Sequence, residues 1–264
     1  MKKNNAGGKK EPNESGKNKP SEGWGKTIFE IIMLLVWVGA SVIASQFVVG
    51  YLMLWILGSD AFDQPAVTAV FSATSYLVAV LLVVFIPPKI LKTKRMSRKE
   101  LGLSGLPTWT DIGLAPVGFV VYLGLGMAIT ALFELFPWFN TSEAQELGFS
   151  PYLVGGDRII AFITLVVIAP IMEEIIFRGW LYRKLRVKTS SKVNNTASIA
   201  VSAFLVSLLF GLIHGQWNVG VNVFAMSLVL CGLREVTGTI YSGILLHMIK
   251  NGLAFYLLYV AGIG

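Results

Sequence analysis

Long apolar runs separated by short polar stretches set the pattern of this chain. Runs long enough to cross a bilayer as helices, about 20 residues each, are read at Thr27–Leu57, Ala66–Ile86, Ile112–Leu135, Ile159–Leu181, Ala197–His214, Val219–Leu233 and Ile240–Val260. The first is too long for a perpendicular crossing and is predicted to tilt or to lie partly in the interface. The second ends at Pro87-Pro88. The pattern predicts an all-α fold, a polytopic transmembrane helical bundle of seven to eight membrane segments. An eighth segment, short or re-entrant, stays open in the weakly charged region after Ala197. The regular spacing gives no internal repeat, so an inverted-repeat transporter finds no support.

Charge changes the picture by sorting the loops. Residues 1–25, rich in Lys, Asn, Gly, Ser and Glu, are read as a disordered tail that cannot bury enough apolar surface to fold. The stretches 89–99 and 183–192 are also basic, whereas 58–64 and 134–157 are acidic or neutral. By the positive-inside rule the N-terminus is cytoplasmic, and seven crossings put the C-terminus outside. The apolar run after the tail is far longer than a signal-peptide core, so no cleavable signal is expected. The reading is therefore a basic cytoplasmic tail followed by one bundle over 26–264, a multi-pass protein of a bacterial cell membrane.

Composition agrees: 54% of residues are hydrophobic and 14% charged, with a mean hydropathy of +0.66. Soluble domains carry about a quarter charged residues. The net charge of +7 raises nucleic acid as a partner, but the basic residues flank apolar segments, where topology explains them. The partners expected are the lipid bilayer and a membrane-associated peptide or protein, not nucleic acid. The single cysteine, Cys231, excludes an intrachain disulfide and a dithiol redox mechanism.

Against this background Ala169-Pro-Ile-Met-Glu-Glu-Ile-Ile-Phe-Arg-Gly179 stands out, with two carboxylates and a guanidinium inside an apolar run. Such groups cost roughly 2.5–3.5 kcal/mol each on insertion scales and mark a functional site by default. Glu174 and Arg178 are four apart and share a helix face, so each can neutralise the other. Glu173 is rotated about 100° from Glu174 and is left for another partner. Pro170 removes a backbone donor and predicts a kink just ahead of the pair. A structural ion-pair network that glues helices together is the bland alternative.

The two histidines, His214 and His247, also fall in apolar runs. Gly211 and Gly215 flank His214 and permit close approach. His247 and Asn251 are four apart, so both can donate toward one point, although each alone could equally belong to a polar seam between helices. Lys250 lies on another face and receives no role. A carboxylate beside a histidine can hold a water and take its proton as it attacks a carbonyl carbon. Two further donors can stabilise the oxyanion that develops. Gly-x-Ser-x-Gly is absent and no histidine is near Cys231 in sequence, so covalent serine or cysteine chemistry lacks support.

Glu173-Glu174-x-x-Phe177-Arg178-Gly179, Phe210-x-x-x-His214 and His247-x-x-x-Asn251 resemble, in order and spacing, the three motifs of the CPBP family, the CAAX proteases and bacteriocin-processing enzymes also called Abi. The resemblance covers about residues 155–260. It implies an intramembrane endopeptidase with a catalytic cavity inside the bundle, in which Glu173 and His214 activate water, His247 and Asn251 form the oxyanion hole, and Glu174 and Arg178 support the site. Substrates implied are leader, bacteriocin, pheromone or CAAX-like precursors. A zinc enzyme liganded by Glu173, His214 and His247 is the alternative; the metal-free reading is preferred because no His-Glu-x-x-His pair is present and zinc would take both histidines from the oxyanion site. A non-catalytic scaffold, regulator or immunity protein that keeps the motif as a polar network is the rival outside enzymology.

The boundaries above conflict with this chemistry. At 1.5 Å per residue, Glu173 lies about 12 Å from the inner end of its span and His214 about 26 Å from the inner end of the next. Straight helices so bounded cannot bring the two together.

Overall fold

A computed structural model describes residues 23–87, 95–141, 143, 149 and 153–262. Residues 1–22 of the expected tail, most of the 89–99 loop and Glu146 lie outside the described residues, whereas Trp24 and Gly25, expected in the tail, are helical. Among the described residues seven helices are long and apolar enough to cross a membrane: α1 (Trp24–Leu57), α2 (Pro65–Phe85), α3 (Trp109–Phe133), α4 (Gly155–Ser190), α5 (Asn195–Leu212), α6 (Trp217–Thr237) and α7 (Tyr241–Ala261). No strand occurs among the described residues.

Local chemistry sets several of these ends. Pro65 opens α2, where its missing N–H is not needed. Thr108 caps α3 through a reciprocal box with Asp111, and Asp111 also accepts hydrogen bonds from Thr239 (2.6 Å) and Ser242 (3.1 Å). That one carboxylate thus ties the start of α3 to the α6–α7 turn. Asn194 caps α5 by accepting from the Ala197 N–H at 2.9 Å.

The α4–α5 hairpin removes the conflict in depth. α4 runs 36 residues and continues through the basic stretch to Ser190, beyond the expected end at Leu181, and α5 begins at Asn195. Measured from these ends, Glu173 lies about 26 Å and His214 about 29 Å along antiparallel helices, so they meet at one level. The extension is held by side chains: Thr189 Oγ1 is 2.6 Å from Ser198 Oγ and 3.0 Å from Ser202 Oγ, and Arg186 pairs with Glu235 at 2.9 Å and Asn195 at 2.8 Å. Lys188 pairs with Glu30 at the start of α1.

A large core fills the interior, with Val38, Val83, Ile176, Phe177, Leu181, Val206, Phe210, Met226 and Leu246 among its buried members, and a smaller apolar cluster gathers Leu153, Ala161, Val166, Phe255 and Tyr259. Large apolar side chains such as Phe47, Trp55, Val120 and Met127 face outward, as a bilayer in place of water permits. α5 and α6 cross at glycine: a Cβ on Gly211 would stand 2.8 Å from the Gly220 carbonyl oxygen, and one on Gly220 would stand 2.9 Å from that of Gly211. Small residues let membrane helices pack backbone to backbone in this way.

Candidate active site

Glu173 and Glu174 stand in the middle of α4, on a regular turn, Ala169–Glu174, between two stretches wound in the wider π register, Ile163–Ile168 and Ile175–Tyr182. The first stretch ends at Ile168, two residues before Pro170, and a widened turn is one way a helix absorbs the clash and the missing N–H of proline.

Glu174 and Arg178 form the expected ion pair, Nη1 to Oε1 at 2.8 Å, with both residues fully buried. The guanidinium also lies over the Phe210 ring, 4.6 Å from its centroid, a cation–π contact. Glu174 Oε2 sits where a Cβ on Gly243 would be 3.0 Å away, so α7 can approach only because that position lacks a side chain. Gly179 plays a similar part on the basic side, where its Cβ would stand 3.0 Å from the Leu101 carbonyl oxygen.

His247, on α7, lies between the two glutamates. Its Nδ1 is 3.3 Å from Glu174 Oε1 and its Nε2 is 3.7 Å from Glu173 Oε2. Asn251, one turn on, donates from its amide nitrogen to the Leu165 carbonyl at 2.9 Å. Leu165 belongs to the widened stretch of α4, so the two donors of α7 address different parts of the same helix.

His214 follows the last turn of α5, and its Nδ1 is 2.7 Å from the Phe210 carbonyl oxygen. A carbonyl only accepts, so Nδ1 carries the proton and Nε2 keeps its lone pair. His214 and Glu173 line one cavity of about 160 Å³, walled on the other side by Val42, Ser45 and Gln46 of α1 and Phe71, Ser72 and Tyr76 of α2. Tyr76 lines this cavity together with Glu173. Lys250 acts electrostatically on both Glu173 and His214.

Tyr76 and Lys250 are the members the sequence reading left out. For Tyr76 a signal existed: Thr68, Ser72, Ser75 and Tyr76 recur at helical spacing in an otherwise apolar run, opposite Ser41 and Ser45 on α1. Polar residues so repeated mark a face turned to a polar interior.

Glu173, His214 and His247 do not converge as a metal-ligand set. Among the described residues no three His, Cys, Asp or Glu side chains are placed to hold a metal ion, and metal–oxygen and metal–nitrogen bonds of about 2 Å require them to point at one centre. The arrangement that does exist is a carboxylate and an imidazole lone pair on one polar cavity, with a second imidazole and a buried ion pair behind the carboxylate.

Residues 155–253 match a family model described as Type II CAAX prenyl endopeptidase Rce1-like. No curated protein and no solved structure matches the chain. The matched segment holds Glu173, Glu174, Arg178, His214, His247 and Asn251, and over this segment the chain is similar to the CPBP family of membrane proteases.

Proposed function

We propose that the protein is an intramembrane endopeptidase that hydrolyses a peptide bond of a membrane-associated protein or peptide with a water activated by Glu173 and His214. The observation that carries this reading is their shared polar cavity at mid-depth in the bundle. Glu173 takes a proton from the water, whose oxygen attacks the carbonyl carbon, and later returns that proton to the leaving amine. Tyr76 holds the carboxylate in place while His214 Nε2 accepts from the same water. His247 beside Glu173, and the second N–H of the Asn251 amide, supply donors for the tetrahedral oxyanion. Glu174 and Arg178 fix the position of His247 from below. Leader, bacteriocin, pheromone and CAAX-like precursors are the substrate classes in view.

The test is cleavage of a peptide library by detergent-purified protein. Glu173→Gln and His214→Ala are expected to abolish turnover with helix content and thermal unfolding unchanged. Wild-type protein without cleavage, together with a Glu173→Gln variant that keeps full cellular function, would establish the non-catalytic scaffold instead.

A further inference from the structure

The lining of the candidate cavity differs between the two ends of the bundle. The bundle has a basic end, with Arg95, Arg98, Lys99, Arg183, Lys184, Arg186, Lys188 and Lys192, and an acidic end, with Asp60, Asp63, Glu134, Glu143 and Asp157. Toward the basic end the floor of the cavity is Ala79, Ile176 and Phe177, all buried. Beneath them lie Val83, Val84, Trp180 and Leu181 of the core, also buried, which leave no polar route.

Toward the acidic end the lining changes character. Gln46 is exposed, and Phe71 and Ser72 are half-buried. Ser72 lies about 10 Å from the acidic-end start of α2 at Pro65, whereas Tyr76 beside Glu173 lies about 16 Å from it. The polar face continues outward from Ser75 and Ser72 to Thr68, whose hydroxyl donates to the Phe62 carbonyl in the Ser59–Asp63 turn. A polar strip therefore runs from the catalytic carboxylate to the acidic loop, between α1 and α2.

Basic loops stay on the cytoplasmic side of a membrane. We infer that the site is loaded from the translocated face: its substrate is an extended polypeptide segment flanking a membrane span in the outer half of the bilayer, not a tail presented from the cytoplasm. The inference rests on the endopeptidase reading for its substrate, and on the cavity alone for its direction.

Direction is tested without a substrate. In a Cys231→Ser background, which removes the one native thiol, Gln46→Cys and Ser72→Cys report the cavity mouth, and Arg183→Cys reports the basic end. A membrane-impermeant maleimide added to intact cells is expected to label the first two to the level reached in detergent. Arg183→Cys should stay unlabelled until the cells are permeabilised. Mouth cysteines that react only alongside Arg183→Cys, or that do not react from outside, overturn the inference. Peptide cleavage by the purified protein is scored separately: cleavage with labelling from the Arg183 side sinks the direction and keeps the protease, whereas outside labelling without cleavage does the reverse.

Discussion

Arg178 reaches back one turn to Glu174 with a 2.8 Å ion pair, and neither residue is touched by solvent. The same Glu174 oxygen faces His247 at 3.3 Å, so this pair is the base on which an α7 histidine rests. Removing one partner of a buried pair typically costs about 3–5 kcal/mol, because the other charge is left uncompensated. Arg178→Met is expected to destabilise by that order in thermal unfolding of the purified protein. Glu174→Gln combined with Arg178→Met should cost less than the sum of the single changes. Additivity would mean that the two groups do not act as a pair.

Tyr76→Phe keeps the ring and removes the hydroxyl proposed to hold Glu173. A hydrogen bond to a charged group is worth roughly 1.5–3 kcal/mol, so kcat/KM should fall about ten- to a hundredfold, with the loss in kcat. The melting temperature serves as the control: a fall in stability with unchanged kcat would make Tyr76 a packing residue only.

Asn251→Ala separates two roles of one amide. Loss of an oxyanion donor lowers kcat by about 10²–10³, and that is the expected result with KM little changed. If the variant merely unfolds earlier, the bond to the Leu165 carbonyl is its whole contribution.

Gly211→Ala places a methyl 2.8 Å from the Gly220 carbonyl oxygen. Backbone cannot yield as a flexible side chain can, and overpacking of this kind costs about 1–3 kcal/mol. His214 lies just beyond Gly211, so activity should fall along with stability. Gly232→Ala, where a Cβ meets nothing within 4 Å, is the matched control.

Chelators address the metal alternative. With Glu173 as base, incubation with a strong zinc chelator followed by dialysis leaves turnover intact. Activity lost on chelation and restored by added zinc would replace the glutamate mechanism.

Much of the architecture was legible because lipid imposes it: apolar runs of bilayer length gave each of the seven helices, and loop charge separated the two ends. The pairing of Glu174 with Arg178 followed from a four-residue spacing on one helix. The ends of α4 and α5 were misplaced because hydropathy reports where lipid stops, whereas the helix continues as long as its backbone bonds and caps persist. Arg183–Ser190 is polar yet helical, held by Glu235, Ser198 and Glu30 from other elements. Tyr76 was missed for the opposite reason: its partner lies far away in sequence, and a tyrosine in an apolar run reads as ordinary filler. The contact of Asn251 with Leu165 depends on a change of helical register that no residue pattern announces.

The cavity shared by Tyr76 and Glu173 crosses the boundary of the recognised family segment. Residues 155–253 carry the groups proposed to react, but the wall facing them is built from positions 42–79, which the family model does not cover. On the proposed function, chemistry and selectivity are encoded in separate stretches of the chain. Two proteins with the same three motifs can share one reaction and yet accept unrelated polypeptides, according to what α1 and α2 present to the cavity. Exchange of Val42–Ala79 between such proteins should transfer substrate preference and leave the catalytic residues untouched.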